Sequence, residues 1–593
     1  MKLSDYVIDF LVRKKVNHAF SLIGGASAHL VDSLYRRRAD IKPVCVQHEQ
    51  AAAFAAEASA RISQNIGVAI TTSGPGATNL ITGIGSAFYD SIPCLFLTGQ
   101  VNTYDYSGDS PQRQRGFQET DIVTIASSIT KDAVFVDDPN TIRYHLEKAF
   151  YLATEGRPGP VLIDLPMNIQ RAEIDVETLC GFEKEHNEIK KKAALESLQL
   201  DSLAEKVISL INKATRPVIL VGGGVRISDA TNELMELVVK TKIPVVVTYA
   251  GKDAINNTHP SFAGFVGNYG HRTANFTIAN SDLLLVLGSR LDTRTTGSRG
   301  DLFAREATII HVDIDPHEIN QRVKCDIPVL ADIGDFLKVL NTIIRISEPL
   351  EISAWLKIVA NYKKQYPWIP VEHTKEKEKV DYYEFMQILS EELDDTDIIV
   401  SDNGQARVWA LQVLSIRARQ RFVSSVGMAS LGYGLPASIG AALAANDGRV
   451  ICIVGDGGMQ FNIQELQTIV HYKIPIKIFV LNNHSYGMIK QFQKLYFDGR
   501  TCGTGEGYSC PDFAKVATSY GLSSCTIENG ANIRQAIQNV LQGDDASLCN
   551  VVLPSETSII PKVKVNYPIE DAEPLLDRKE FLSNMIITPF SPQ

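Results

Sequence analysis

The chain has 593 residues, too many for one hydrophobic core, and a prior of ~150 residues per domain suggests about three or four domains. Hydrophobic residues make up 45% and charged residues 21%, as in an ordinary globular protein, and a net charge of −10 argues against nucleic acid as a partner. The nine cysteines form no CxxC pair, which suggests a reduced, cytoplasmic setting, and no run reaches the roughly 18 apolar residues of a membrane span.

Met1–Val16 has charges inside its apolar stretch and reads as an amphipathic helix, not a signal peptide. Three α/β blocks are expected, at about residues 1–178, 199–345 and 381–560. Each repeats one logic of apolar strand, glycine-rich turn and helix, and three doubly wound parallel sheets are the economical architecture. In the first block, Pro43–Val46 ends a strand just before His48-Glu49, and Gly67–Thr72 runs into the turn Ser73–Asn79. Glu183–Glu196 is charged and reads as a linker or solvated helix. The second block opens with Arg216–Gly224, a strand entering Gly222-Gly223-Gly224. Glu348–Lys379 is a helical connector that ends in the charge run His373–Lys379. The tail, 561–593, has no clear period and either folds over another element or is mobile.

The third block carries the most chemistry. Val450–Val454 is a buried strand ending in Gly455-Asp456-Gly457-Gly458, Phe461–Tyr472 has helical spacing, and Ile474–Leu481 is a second strand ending in Asn482-Asn483. Ligands of parallel sheets bind beyond the carboxyl ends of the strands, where both polar clusters fall. Glycines admit phosphate oxygens close to the backbone, and Asp456 and Asn483 offer the hard oxygens that magnesium takes alongside a diphosphate. Ordinary turn chemistry is the alternative for Gly-Asp taken alone.

This pair of clusters resembles the thiamine diphosphate signature, and with it the first block resembles the pyrimidine-binding domain of the acetolactate synthase branch of these enzymes. The matching residues are Gly24–Ala26, His48–Ala52, Ser73–Asn79, Gly116–Asp121 and Arg157–Leu165, with Gly404-Gln405 and Leu431–Ala437 in the third block. The resemblance spans about residues 1–560. It implies a pyrimidine-binding, a central nucleotide-binding-like and a diphosphate-binding domain, and an enzyme that binds thiamine diphosphate and Mg2+. It implies roles for individual residues as well. Glu49 would assist removal of the thiazolium proton; its structural alternative is a helix N-terminal charge. Leu431 would wedge between the cofactor rings, or be plain core. Gly404, Gln405, Gly455, Asp456, Gly457, Gly458, Asn483 and Ser485 would hold the diphosphate. Of these, Asp456, Asn483 and the Ser485 carbonyl would hold the metal. Gly25, Phe117, Gln118 and Phe492 would face the substrates, with Gln118 counted among the catalytic groups.

The same resemblance implies FAD in the central domain. Candidates are Arg157, Gly222, Gly223, Gly224, Arg290, Arg294, Asp313 and Asp332, each of which also reads as a turn residue or an inter-domain ion pair. The family builds its sites between subunits, which implies a homodimer or homotetramer. The implied reaction decarboxylates pyruvate and transfers the two-carbon unit to a second carbonyl, as acetolactate synthases do. A keto-sugar or other ketone acceptor, simple decarboxylation and oxidation stay open. A non-catalytic subunit is opposed by the intact Glu49, Asp456 and Asn483. The chain departs from the family in three places. Ala406 stands where acetolactate synthases often carry histidine, Phe492 replaces a tryptophan, and the Val101–Arg115 loop is long. Arg113 and Arg115 in that loop are either surface charges or contacts for an anionic acceptor.

Overall fold

The computed structural model describes residues 1–108, 110–182, 200–344, 350–369 and 379–590. Three six-stranded sheets, all parallel, follow one another along the chain. The first contains β1 (His18–Ser21), β2 (Lys42–Cys45), β3 (Gly67–Thr71), β4 (Cys94–Gln100), β5 (Asp132–Phe135) and β6 (Pro160–Pro166). The second contains β7 (Pro217–Val221), β8 (Val245–Val247), β9 (Phe262–Phe265), β10 (Leu283–Leu287), β11 (Thr308–Asp313) and β12 (Ile327–Leu330). The third contains β13 (Ile398–Ser401), β14 (Arg421–Val423), β15 (Val450–Gly455), β16 (Ile476–Asn482), β17 (Ser523–Ile527) and β18 (Ser547–Val552). Central strands such as β4, β7 and β16 are buried along their whole length, as continuous apolar runs covered on both faces by helices must be.

Strand order fixes where ligands can enter. The first sheet runs β2-β1-β3-β4-β6-β5 and the third repeats that order as β14-β13-β15-β16-β18-β17. Their order reverses between β1 and β3, and between β13 and β15. The second sheet, β12-β11-β10-β7-β8-β9, has the dinucleotide-binding order and reverses between β7 and β10. Each reversal opens a crevice at the carboxyl ends of its two strands.

The first and third sheets meet through two small-residue helices, Glu49–Ser63 and Gly434–Ala444. Their backbones cross so closely that a Cβ on Gly440 would lie 1.9 Å from the Ala55 carbonyl oxygen. A buried network seals the crossing. Tyr433 donates its hydroxyl to Glu57, Arg61 pairs with Glu57 at 2.5 Å and with Asp90 at 2.7 Å, and Asp90 accepts the Val426 and Gly427 N–H groups.

Two expectations need adjusting. The helix expected from Phe461 begins at Asp456 instead, runs to Phe461, breaks at Asn462 and resumes over Leu466–Tyr472. The connector is helical over Ser353–Gln365, whereas Glu183–Glu196 and most of His373–Lys379 lie outside the described residues. The tail folds onto the central sheet's helices. β19 (Lys562–Val563) and β20 (Ala572–Glu573) pair antiparallel, Glu570 pairs with Arg305 at 2.7 Å, and Asn280 donates to the Asn584 carbonyl at 2.9 Å.

Candidate active site

A cavity of about 300 Å3 opens at the reversal between β13 and β15. Its walls bring together Asn403, Gly404 and Gln405 after β13, Gly455–Gly458 after β15, Asn483 and Ser485 after β16, and Leu431. Gly404 has φ +96°, a conformation that glycine alone adopts without strain, and no atom lies within 4 Å of where a Cβ on Gly404 or Gly455 would sit. These two glycines therefore present bare backbone to the cavity. Gly457 and Gly458 are required by packing, since a Cβ would lie 2.3 Å from the Tyr486 ring and 2.0 Å from an Asp402 carboxylate oxygen.

The hard oxygens converge here. Asp456 is buried, and desolvation pushes its carboxyl up to about 6, the mark of an anion whose charge awaits compensation. Its Oδ2 accepts from the Ser485 N–H at 3.0 Å and the Tyr508 hydroxyl at 2.9 Å, which fix its direction. Asn483 donates its amide nitrogen to Gln405 at 3.2 Å and Thr557 at 2.7 Å, committing that atom to the protein and keeping the oxygen for a cation. The Asn403 Oδ1 is buried without a partner. The Ser485 carbonyl accepts from the Gly487 N–H at 2.9 Å and has a second lone pair. One carboxylate, one amide and one carbonyl beside open backbone form a donor set that fits magnesium with a diphosphate. Among the described residues no cluster of three His, Cys, Asp or Glu side chains offers a rival metal site.

Several supporting residues carry no local motif. Asp402 is fully buried, accepts the N–H groups of Asn403 at 2.7 Å and Gly432 at 3.1 Å, and is pushed up to about 6 by desolvation. It ties the Gly432 turn, and so Leu431, to the end of β13. Arg294, expected beside FAD, lines this cavity with Arg407 and Ala406 and also donates to the carbonyl of Val426, which lines a second, larger cavity. The Arg294 and Arg407 guanidinium carbons stand 5.7 and 5.4 Å from the Tyr249 ring.

The first-sheet residues form a second cluster. Glu49 opens its helix behind the His48 cap, is 7% exposed, and accepts from the Asn79 amide at 2.9 Å. Gly76 lies beside it, and Gly74 lies against Gln118. A Cβ on Gly76 would be 3.3 Å from Glu49 Oε1, and one on Gly74 would be 2.9 Å from the Gln118 carbonyl oxygen. Within one chain, Gly25, Glu49, Phe117 and Gln118 do not line the β13–β15 cavity, and Phe117 is 86% exposed. Phe492, in the second turn of the helix Gly487–Tyr496, is also outside the lining and packs on Tyr496 at 4.7 Å.

A larger cavity of about 560 Å3 occupies the β7–β10 reversal, lined by Gly223, Gly224, Arg290, Asp313, Asp332 and Arg157 among others. Gly222 lies behind this lining, where a Cβ would be 2.1 Å from the Gly288 carbonyl oxygen. Arg157 already pairs with Asp315 at 2.9 Å and Glu318 at 2.5 Å, and Asp332 caps the helix Ile333–Ile343 while accepting from Ser228 at 2.7 Å. Burial raises the Asp313 carboxyl.

Fold and site thus define an α/β enzyme that binds a diphosphate cofactor at a parallel-sheet crevice. Models of the thiamine pyrophosphate enzyme N-terminal, central and C-terminal domains match residues 1–125, 204–340 and 402–551. A probable acetolactate synthase large subunit of Methanocaldococcus jannaschii is 38% identical over 93% of this chain and 92% of that protein. The acetolactate synthase large subunit of Cyanidium caldarium is 35% identical over 94% of each. Escherichia coli acetolactate synthase isozyme 2 large subunit is 32% identical over 95% of this chain and 97% of its own. The chain belongs to the thiamine pyrophosphate enzymes, in the acetolactate synthase large-subunit family.

Proposed function

We propose that the protein decarboxylates pyruvate and joins the two-carbon, acetaldehyde-level unit to a second carbonyl, giving 2-acetolactate when that carbonyl is a second pyruvate. The observation that carries this reading is the convergence of Asp456, Asn483 and the Ser485 carbonyl on a cavity walled by bare glycine backbone. Thiamine diphosphate supplies, when bound, a carbon nucleophile that also stabilises the negative charge left by decarboxylation. Asp456, Asn483 and Ser485 hold Mg2+, Gly404, Gln405 and Gly455–Gly458 receive the diphosphate, and Leu431 sets the angle between the rings. Glu49 holds and returns a proton at the pyrimidine ring, and Gly25, Phe117, Gln118 and Phe492 face the substrates. Glu49 lies outside the cavity of its own chain, which supports a homodimer or homotetramer in which the partner completes the site. The domains are taken as 1–178, 199–345 and 381–560, with 561–593 as a tail.

The central cavity suits FAD. Gly223 and Gly224 flank the reversal, and Arg290 and Asp313, at the end of β11, add charge to its lining. Flavin absorption of the purified protein tests this. A keto-sugar or larger ketone as second carbonyl is favoured by the exposure of Arg113, Arg115 and Phe117 on the long loop. A cytoplasmic setting accords with nine free cysteines. The deciding experiment incubates the protein with 13C-pyruvate, thiamine diphosphate, Mg2+ and candidate acceptors, and identifies products by mass. Doubly labelled acetolactate or a labelled branched adduct is expected. Acetaldehyde or acetate as the sole product would overturn the carboligase reading.

A further inference from the structure

Glu119 is 7% exposed and lines neither cavity. Its Oε1 accepts from the Ser107 N–H at 2.6 Å and from the Ser107 hydroxyl. Its Oε2 accepts from the N–H groups of Arg115 at 2.7 Å and Gly116 at 3.0 Å. One carboxylate thus gathers both ends of the loop between Ser107 and Arg115, and the Gln114 amide adds a bond to the Glu119 carbonyl at 3.0 Å. The described residues of this loop are mostly exposed and bring no apolar core of their own. Charge-assisted hydrogen bonds at its neck are therefore what offsets the entropy of closing it.

The same residue closes a tight turn with its backbone. The Glu119 N–H donates to the Gly116 carbonyl at 3.1 Å, so Phe117 and Gln118 are the two central residues of a β-turn. Gln118 sits at φ +62°, a conformation sparsely used by residues with a side chain, and its carbonyl rests against Gly74, two residues before the glycine that touches Glu49. Behind the turn, Gln100 donates to the Thr120 carbonyl at 2.8 Å and to the buried Asp164 at 3.0 Å. Burial raises the Glu119 carboxyl, but the bonds from Ser107, Arg115 and Gly116 outweigh it and hold the group below the ordinary glutamate value.

We propose that Glu119 is a positioning residue whose carboxylate locks the long loop onto the Phe117-Gln118 turn, so that these two side chains meet the second carbonyl in one fixed arrangement. This rests on the reading of Phe117 and Gln118 as substrate-facing. Glu119→Gln places an amide nitrogen opposite backbone N–H donors and opens the clamp. Trypsin cleavage after Arg113 or Arg115 should then speed up about tenfold, with thiamine diphosphate retention unchanged. The two-carbon unit should leave as acetaldehyde rather than enter a carbon–carbon product on the order of ten times more often, because small misplacements near a reacting centre are costly in rate. Ser107→Ala, which removes a single hydroxyl donor, should move both readouts the same way by a smaller factor. A wild-type trypsin rate in Glu119→Gln would overturn the clamp. Faster cleavage with an unchanged product ratio would overturn the positioning role. Gln118→Ala keeps the clamp intact, so a wild-type product ratio in that variant would overturn the substrate-facing reading, while the trypsin rate continues to report on Glu119 alone.

Discussion

The β13–β15 cavity and the larger β7–β10 cavity both lie at the carboxyl ends of parallel strands beside a glycine turn, yet their polar groups are committed differently. In the smaller one, Asp456 is buried with hydrogen bonds from Ser485 and Tyr508, and among the described residues the Asn403 oxygen has no partner. In the larger one most charges answer one another. Arg157 pairs with Asp315 and Glu318, and Asp253 lies between Arg226 at 3.6 Å and Arg421 at 2.9 Å. A polar group held buried without compensation implies a ligand, because it costs stability until one arrives. A compensated group needs none. The larger cavity also holds uncompensated groups, the Tyr249 hydroxyl and the raised Asp313 carboxyl, but most of its charges are paired with one another.

Substitutions can sharpen or break this contrast. Glu49→Gln should keep cofactor affinity and lower turnover about a hundredfold or more, as loss of a general acid–base group does; exchange of the cofactor's thiazolium proton, followed by NMR, checks it. Unaltered exchange would place that role elsewhere. Asp253→Ala should cost about 3 kcal/mol of folding stability in denaturant titrations, since it strands two partly buried guanidinium groups. Burial raises the Asp253 carboxyl, but Arg226 and Arg421 outweigh it and hold it below the ordinary value. Its contribution is therefore present above the unfolded aspartate pKa and lost as the pH falls through the folded one. The stability gap between wild type and variant should accordingly narrow as the pH falls. Phe492→Trp should have the smallest effect, a few-fold rise in preference for 2-ketobutyrate over pyruvate as second carbonyl, in line with the small worth of one methylene in a pocket. Direct competition between the two acids measures it, and a strong native preference for 2-ketobutyrate would contradict the pocket reading.

Much of this contrast was legible in the chain itself. Gly455–Gly458 and Asn482-Asn483 each close an apolar run, so period and turn chemistry place them at strand ends without any tertiary information. What was not legible comes from residues whose partners are remote. Asp402 follows β13 just before Gly404-Gln405, but its work is done on the Gly432 turn across the cavity, which no local pattern shows. Arg294 lies in a stretch that reads as nucleotide-binding, yet its side chain stands between the two cavities, lining the smaller one and reaching Val426 and Tyr249 of the larger. The tail lacks periodicity because its anchors are scattered, from the Arg305–Glu570 pair to separate buried apolar side chains such as Val563, Ile569 and Phe581. The early helix start at Asp456 was hidden because Gly457 and Gly458 are poor helix formers, held there by Tyr486 and Asp402 packed against them.

The central claim is that Asp456 belongs to a magnesium diphosphate site. Calorimetric titration of thiamine diphosphate with Mg2+ into wild type and Asp456→Ala, alongside denaturant titration of both cofactor-free proteins, tests it most directly. The cofactor-free variant should stay folded with a cooperative transition, while cofactor binding at micromolar concentration is lost. Unchanged affinity in Asp456→Ala would contradict the assignment.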